Sequence, residues 1–420
     1  MRTKTGSSNI TRAVRCGAVL GMAGLVAACG SSNTPSSSSS GAATVPSGLS
    51  ITSFDTSFSV MSSLKGLHAA GKGLVGVILP DTTSSTRYVN FDAPYLTRAF
   101  AAAGFTTTDF KIDNAQGSDA TELADAQADV TLGASVLVFD PLDSTVGAAV
   151  QSYAQAHGVA TVSYDRATFQ GNKVYYVSFD NVQVGKLIGQ GFETCVSSWN
   201  VSNPKVFTLN GGEDTDPNAV SFAQGYNSVV WGDTTTPESA GKTNSKGYTL
   251  VGDQVAPGWD NTKGGAIFQQ QFTAHPDINA TIEANDGLAN AVVTDLKNAG
   301  VGAKKIPTTG QDATLQGMEN VLQGFQCGSV YKAVYLEAQD AVAVATILRA
   351  GLTPPSALVN GMTTPPTGVT GTAQPASLLT PVWVDSTNMA STVIKDNFIS
   401  ASALCTAVGA SVCSGANITP

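Results

Sequence analysis

Along this 420-residue chain, short apolar runs repeatedly stop at polar residues. Leu74–Leu79 runs into Asp81 and Arg87, Val159–Tyr164 into Asp165-Arg166, and Val206–Leu209 into Asn210-Gly211-Gly212 and an acidic loop. Ile278–Ala284 reaches Asn285-Asp286, Ile306–Gly310 reaches Gln311-Asp312, and Val330-Tyr331 reaches Lys332. Amphipathic segments of helical period separate most of these runs, among them Pro94–Ala103, Asp119–Leu132, Val182–Val196 and Leu336–Ala350. Strands alternating with helices predict a parallel, doubly wound α/β sheet with helices on both faces. In such sheets ligands bind outside the carboxyl ends of the strands. A chain that keeps placing Asp, Arg, Asn and Lys there is building one convergent polar pocket.

The βα units are too many for one comfortable sheet, which predicts two lobes. Changes of lobe are expected near Tyr164–Arg166, near Lys332, and after the Pro/Thr-rich stretch Thr353–Pro381, around Trp383. The expected division is 1–28 signal, 29–72 Ser-rich tether and lead-in, 73–164 plus 333–382 N-terminal lobe, and 165–332 plus 383–420 C-terminal lobe. Several crossings make a multi-strand hinge and place a ligand cleft between the lobes.

The N-terminus reads as an export signal. Arg2, Lys4, Arg12 and Arg15 precede the apolar stretch Cys16–Ala28, which is too short for an ordinary spanning helix. It closes on Val26-Ala27-Ala28-Cys29-Gly30, which resembles a bacterial lipoprotein cleavage box with Cys29 as the lipidated first residue. Residues 31–50 have the composition of a random-coil tether. The expected location is therefore the outer face of the cytoplasmic membrane, with a lipid anchor as the membrane contact. Four cysteines remain, and an exported compartment permits disulfides. Cys405 and Cys413 are close enough to staple the tail, leaving Cys195 and Cys327 as partners. Three scattered histidines and no CxxC spacing argue against zinc. Asp214-Thr215-Asp216-Pro217-Asn218 lacks the Gly and Glu that a calcium loop requires, so no metal is expected. The formal net charge of −9 argues against a nucleic-acid partner, which needs a basic footprint.

From about Gly73 to Ser402 the chain resembles the periplasmic sugar-binding proteins of ABC transporters, type I. Within them it resembles the D-xylose-binding and multiple-sugar receptor group. The resemblance rests on Ser84-Ser85-Thr86-Arg87-Tyr88, Tyr164-Asp165-Arg166, Ser178-Phe179-Asp180-Asn181 and Val251-Gly252-Asp253-Gln254. It continues through Gly258-Trp259, Asn285-Asp286, Gly310-Gln311-Asp312-Ala313, Val330-Tyr331-Lys332, Leu378-Leu379-Thr380-Pro381 and Val393-Ile394-Lys395-Asp396. It implies two Rossmann-like lobes and a ligand set of Arg87, Tyr88, Asp165, Arg166, Asp216, Asn218, Trp259, Asn285, Asp312 and Lys332. Tyr88 stands where the family usually has tryptophan, and Pro217 replaces an asparagine between Asp216 and Asn218. Either change bears on which sugar is preferred.

The residue types suit a sugar. Carboxylates accept from hydroxyls, Arg and Lys donate, and Asn does both. Three acids (Asp165, Asp216, Asp312) facing three bases (Arg87, Arg166, Lys332) would make the pocket formally neutral, avoiding the cost of desolvating unpaired charge. Trp259 and Tyr88 could cover opposite sugar faces. Structural readings stand beside these. Asp165-Arg166 could be an ion pair at a crossover. Asp216 and Asn218 could cap the following helix, Trp259 could be core, and Asp286 reads as a helix cap.

The function implied is a solute-binding lipoprotein of an ABC importer that needs no cofactor. It would act as a monomer, close on a monosaccharide (D-xylose first) and deliver it to the permease. A sugar-sensing receptor, or a binder of glucose, galactose or arabinose, is the alternative. An enzyme is not expected: the acids are matched by bases, and neither a Gly-x-Ser-x-Gly elbow nor a histidine-supported nucleophile is present.

Overall fold

A computed structural model of the chain describes residues 43–171, 174–212, 216–232 and 239–420. The export signal, Cys29 and most of the expected tether lie outside these residues, as do Asp214 and Thr215.

The first sheet has seven strands. They are β1 (Leu74–Leu79), β2 (Phe110–Asn114), β3 (Ala134–Phe139), β4 (Ala160–Tyr164), β5 (Val174–Phe179), β10 (Gly361–Thr363) and β11 (Gln374–Leu379), in the order β10-β11-β5-β4-β3-β1-β2. All pair in parallel except edge strand β10. Alternate residues feed two cores. Val75, Val77, Val136 and Val138 face the helices Ala93–Ala102 and Val334–Arg349, while Ile78, Leu137 and Phe139 face Asp119–Thr131 and Ser144–Ala156. The second sheet holds β6 (Lys205–Gly211), β7 (Thr249–Ala256) and β8 (Ala280–Glu283) in the order β7-β6-β8. A two-stranded ribbon pairs β9 (Ser329–Tyr331) with β12 (Val382–Val384). In both larger sheets the chain leaves a central strand in opposite directions, at β1 and at β6. That is where an open α/β sheet forms a ligand crevice.

The two-lobed α/β architecture matches the expectation, but its boundaries differ. β5 pairs with β4 and β11, so a first boundary at Asp165 would cut through the first sheet. The chain instead changes sheet after Phe179, at Asp180. The link from β4 to β5 carries no helix, whereas parallel neighbours ordinarily need a longer crossover. Without a helical segment, the polar end of β4 looked like an exit. After β9 the chain passes through Lys332 into the helix Val334–Arg349 of the first-sheet core, and it passes from the first sheet to the ribbon between β11 and β12.

The lead-in is not a tether from Ala43 onward. Phe54, Phe58, Met61, Leu64 and Leu67 are buried in the first-sheet core, and the Ile51 amide donates to the Ala357 carbonyl at 3.0 Å. Each such buried side chain is worth about 1.5–3 kcal/mol, enough to hold the segment down. Ile306–Thr309 forms no regular strand either, because Pro307 lacks an amide hydrogen. It runs beside β8 with side chains completing the ladder: the Thr309 amide donates to Glu283 Oε2 at 2.8 Å and the Glu283 amide to Thr309 Oγ1 at 2.9 Å.

Disulfides join Cys195 to Cys327 and Cys405 to Cys413. Among the described residues no helix is long and apolar enough to cross a membrane, and no acid, histidine or cysteine cluster could hold a metal ion.

Candidate functional site

The loops that end the strands meet in one small chamber with about 20 Å³ of free space, room for about one water and less than a bound small ligand fills. Nine of the ten residues expected there line it: Arg87, Tyr88, Asp165, Arg166, Asn218, Trp259, Asn285, Asp312 and Lys332. Ser84, Ser85, Phe222 and Gln311 complete the wall.

After β1, Asp81 Oδ1 accepts the amides of Thr83 and Ser84, both at 2.7 Å, a turn that carries Ser84 and Ser85 to the chamber. The chain then coils into a short helix containing Tyr88. Its hydroxyl donates to Asp165 Oδ2 at 3.0 Å and accepts from Arg166 Nη2 at 3.1 Å. Tyr88 therefore anchors two charged neighbours through its hydroxyl, a role beyond the flat wall anticipated for it.

Asp165 occupies the left-handed region, with φ 58°, a conformation aspartate tolerates better than most residues. Tyr176 Oη and Asn218 Nδ2 donate to its carbonyl at 2.6 and 3.0 Å, which pins the turn. Burial acts to raise the Asp165 pKa, but Arg87, Lys332, Arg166 and the Tyr88 hydroxyl outweigh it and hold the carboxyl well below its usual range.

Charge matching is more elaborate than three acids against three bases. Arg87 is gripped from behind: Nε and Nη2 reach Asp92 at 2.9 and 2.7 Å, and Nη2 reaches Glu337 at 2.7 Å. Its Nη1 is 3.0 Å from Asp165. Arg166 lies 3.4 Å from Asp140 and 3.5 Å from Asp216. Asp92, Asp140 and Glu337 thus add three buried acids to the expected set. Burial raises Glu337 to about 8 and lifts Asp140 well above the carboxylate range, with Arg87 and Arg166 respectively opposing. Asp140 carried the same signal as the other residues, since β3 also ends in a polar residue. Glu337 is signalled by its place in a helix whose other residues are almost all buried.

Asp216 stands behind the wall and does not line the chamber. It caps the helix Pro217–Val230, Oδ1 accepting the Asn218 and Ala219 amides, and its Oδ2 accepts from Trp259 Nε1 at 2.7 Å. The capping reading holds for Asp216, and the same carboxylate that starts the helix also holds the indole. Trp259 is 7% exposed, stands edge-on to Phe222 at 6.2 Å, and serves as both core and chamber wall. A β-carbon at Gly211 would overlap the Trp259 ring. Gly211→Ala is therefore expected to displace the indole and weaken ligand binding by about tenfold or more, at an overpacking cost of about 1–3 kcal/mol. Calorimetry and tryptophan fluorescence would read the two effects.

Asp286 is not the helix cap. Asn285 caps Asp286–Asn298, its Oδ1 accepting the Leu288 amide at 2.9 Å. The Asp286 carboxylate instead accepts from the Thr314 amide (2.7 Å), Gln326 Nε2 (2.8 Å) and Ser329 Oγ (2.7 Å), and its own amide donates to the Gln311 carbonyl at 3.0 Å. It braces the turn that presents Gln311 and Asp312, and burial raises it to about 7.

Direct contacts bridge the two sheets across the chamber. Ser85 Oγ donates to Asp312 Oδ2 at 2.9 Å, Asn285 Nδ2 reaches the Ser84 carbonyl at 3.5 Å, and Lys332 Nζ lies 3.1 Å from Asp312 and 3.8 Å from Asp165. These contacts close the cleft, and its polar lining comes from both lobes.

Such a fold and site define a two-lobed binding protein. The family model for the periplasmic binding protein domain matches residues 75–352, and the chain belongs to that family. It is 30% identical over 290 residues to the D-xylose-binding periplasmic protein of Escherichia coli, covering 68% of this chain and 80% of that one. It is 29% identical over 345 residues to the multiple sugar-binding periplasmic receptor ChvE of Rhizobium radiobacter, covering 80% and 93%. In fold it is similar to a carbohydrate transporter solute-binding protein from Chloroflexus aurantiacus solved in complex with D-glucose. The TM-score is 0.64, with 24% identity, 79% of this chain covered and 98% of that one.

Proposed function

We propose that this protein is the extracytoplasmic solute-binding component of an ABC sugar importer and takes a monosaccharide, D-xylose first. The observation that carries the reading is the closed chamber itself. It combines acids, guanidinium and ammonium donors, amides and an indole in one small space, and similar proteins are named for xylose and for multiple sugars. Vicinal hydroxyls suit the charged rim and the C–H face suits Trp259 and Phe222. The open form would take sugar on one lobe, closure would add contacts from the other, and the permease would engage the closed form. Arg87, Tyr88, Asp165, Arg166, Asn218, Trp259, Asn285, Asp312 and Lys332 are the proposed contacts, with Asp216 aiming the indole and Arg166. Lipidation at Cys29 would hold the protein at the membrane surface, and mass spectrometry of the mature N-terminus tests it.

A calorimetric panel of xylose, glucose, galactose, arabinose and ribose decides the ligand. Micromolar or tighter binding of xylose is expected. Preference for another of the five would reassign the sugar, and binding of none would overturn the reading.

A further inference from the structure

When the cleft is closed, nearly every polar group of the chamber already has a protein partner. Tyr88, Asp165 and the two arginines hold one another, Asn218 is bonded to the Asp165 carbonyl, and Lys332 is paired with Asp312. Two chamber acceptors lack a hydrogen bond: Asp312 Oδ1, which has its ion pair with Lys332, and Gln311 Oε1. Gln311 is 3% exposed and lines the chamber, and its Oε1 has neither a hydrogen bond nor an ion pair. Its backbone leaves no slack: the carbonyl accepts the Asp286 amide, the residue bridges to Val330, and the next two residues, Asp312 and Ala313, turn sharply at φ 85° and 47°. A buried acceptor left unpaired carries its full desolvation penalty, so a rigidly presented one inside a ligand chamber is an unfilled half of a hydrogen bond.

We propose that Gln311 is a specificity-determining contact whose Oε1 accepts a hydrogen bond from one hydroxyl of the bound sugar. This rests on the monosaccharide reading above and deepens it. An amide oxygen only accepts, so the sugar group it meets must be a donor. A free hydroxyl satisfies it. A hydrogen, a fluorine or an O-methyl group at the same carbon does not, and the last also collides with the wall. Gln311 would therefore enforce a free, unsubstituted hydroxyl at one ring position, rejecting sugars glycosylated or alkylated there.

The test is a matrix of proteins against analogues of the sugar that binds best: the native chain, Gln311→Leu and Gln311→Asn, each titrated with the parent sugar and its single deoxy and deoxyfluoro derivatives. In the native protein one position is expected to lose about tenfold or more in affinity on either replacement. In Gln311→Leu the parent should bind about tenfold more weakly, and the penalty at that one position should vanish while the others persist. Gln311→Asn, with the same group on a shorter stem, should show an intermediate penalty. Equal loss at every position in Gln311→Leu, or an unchanged analogue profile, would overturn the proposal and show Gln311 to be structural only. If the native chain bound none of the sugars, the monosaccharide reading would fail instead, a result distinguishable from the failure of Gln311 alone.

Discussion

Replacing Arg166 by alanine is expected to weaken sugar binding by at least tenfold and to cost about 3–5 kcal/mol of folding stability. The guanidinium is buried between the lobes and faces Asp140, Asp216 and the Tyr88 hydroxyl. Removing one partner of a buried pair leaves the others desolvated and uncompensated, which is where the stability loss comes from. The binding loss has a separate origin, because Arg166 lines the chamber and also orients Tyr88 against Asp165. Asp312→Ala tests the opposite wall: the carboxylate is buried, bonded to Ser85 and paired with buried Lys332, so the variant should lose at least tenfold in affinity and also lose stability by stranding the ammonium. Calorimetric titration and thermal unfolding of both variants check this. Unchanged affinity in both would refute a site built by convergence of the strand ends.

Stability should rise as pH falls from about 8 to about 5. Glu122, Glu283, Glu337 and Asp340 are each raised to about 8 and Asp286 to about 7, with burial the main cause in every case. In the unfolded chain these groups titrate near 4. Between about pH 4 and 8 the native state therefore binds more protons than the unfolded state, so the slope of unfolding free energy with pH is negative. The stabilisation is fully present below the unfolded pKa and is lost as pH climbs through the folded values. Asp165, held low, works the other way and matters only at the acidic end. A Tm at least about 5 °C higher at pH 5.5 than at pH 8.5 is expected by thermal unfolding; a Tm that rises with pH across this window would contradict protonated buried acids. Asp340→Asn should flatten part of the slope, since burial raises Asp340 to about 8 and the amide needs no proton to stay neutral.

Much of the fold was legible because its signals are local. Apolar runs bounded by caps and glycines gave β1 its observed limits, Leu74–Leu79, and helical period placed the helix Asp119–Thr131 to within one residue. β2 (Phe110–Asn114) went unread because it is a half-buried edge strand whose polar residues interrupt the run. β10 and β12 are only three residues long, and the first of these lies in a Pro/Thr-rich stretch. The polar residues at strand ends also pointed to the chamber, since doubly wound topology forces such ends together.

Beyond that point, three-dimensional packing decided the outcome. Strand pairing is a long-range fact, so only the sheets themselves show that β5 belongs with β4 and that the chain changes lobe at Asp180. Asp216 and Trp259 are far apart in sequence, and their hydrogen bond makes the aspartate a support behind the wall. Asp92 and Glu337 grip Arg87 from the helical layer, so the charge balance of the site depends on residues outside any strand end. The sequence alone determined the class of fold and the kind of chemistry at the strand ends, because backbone propensity and hydrophobic period act over a few residues. Which of those groups line the chamber and which are already paired depends on the closed tertiary structure, because hydrogen-bond partners are assigned only when distant segments meet.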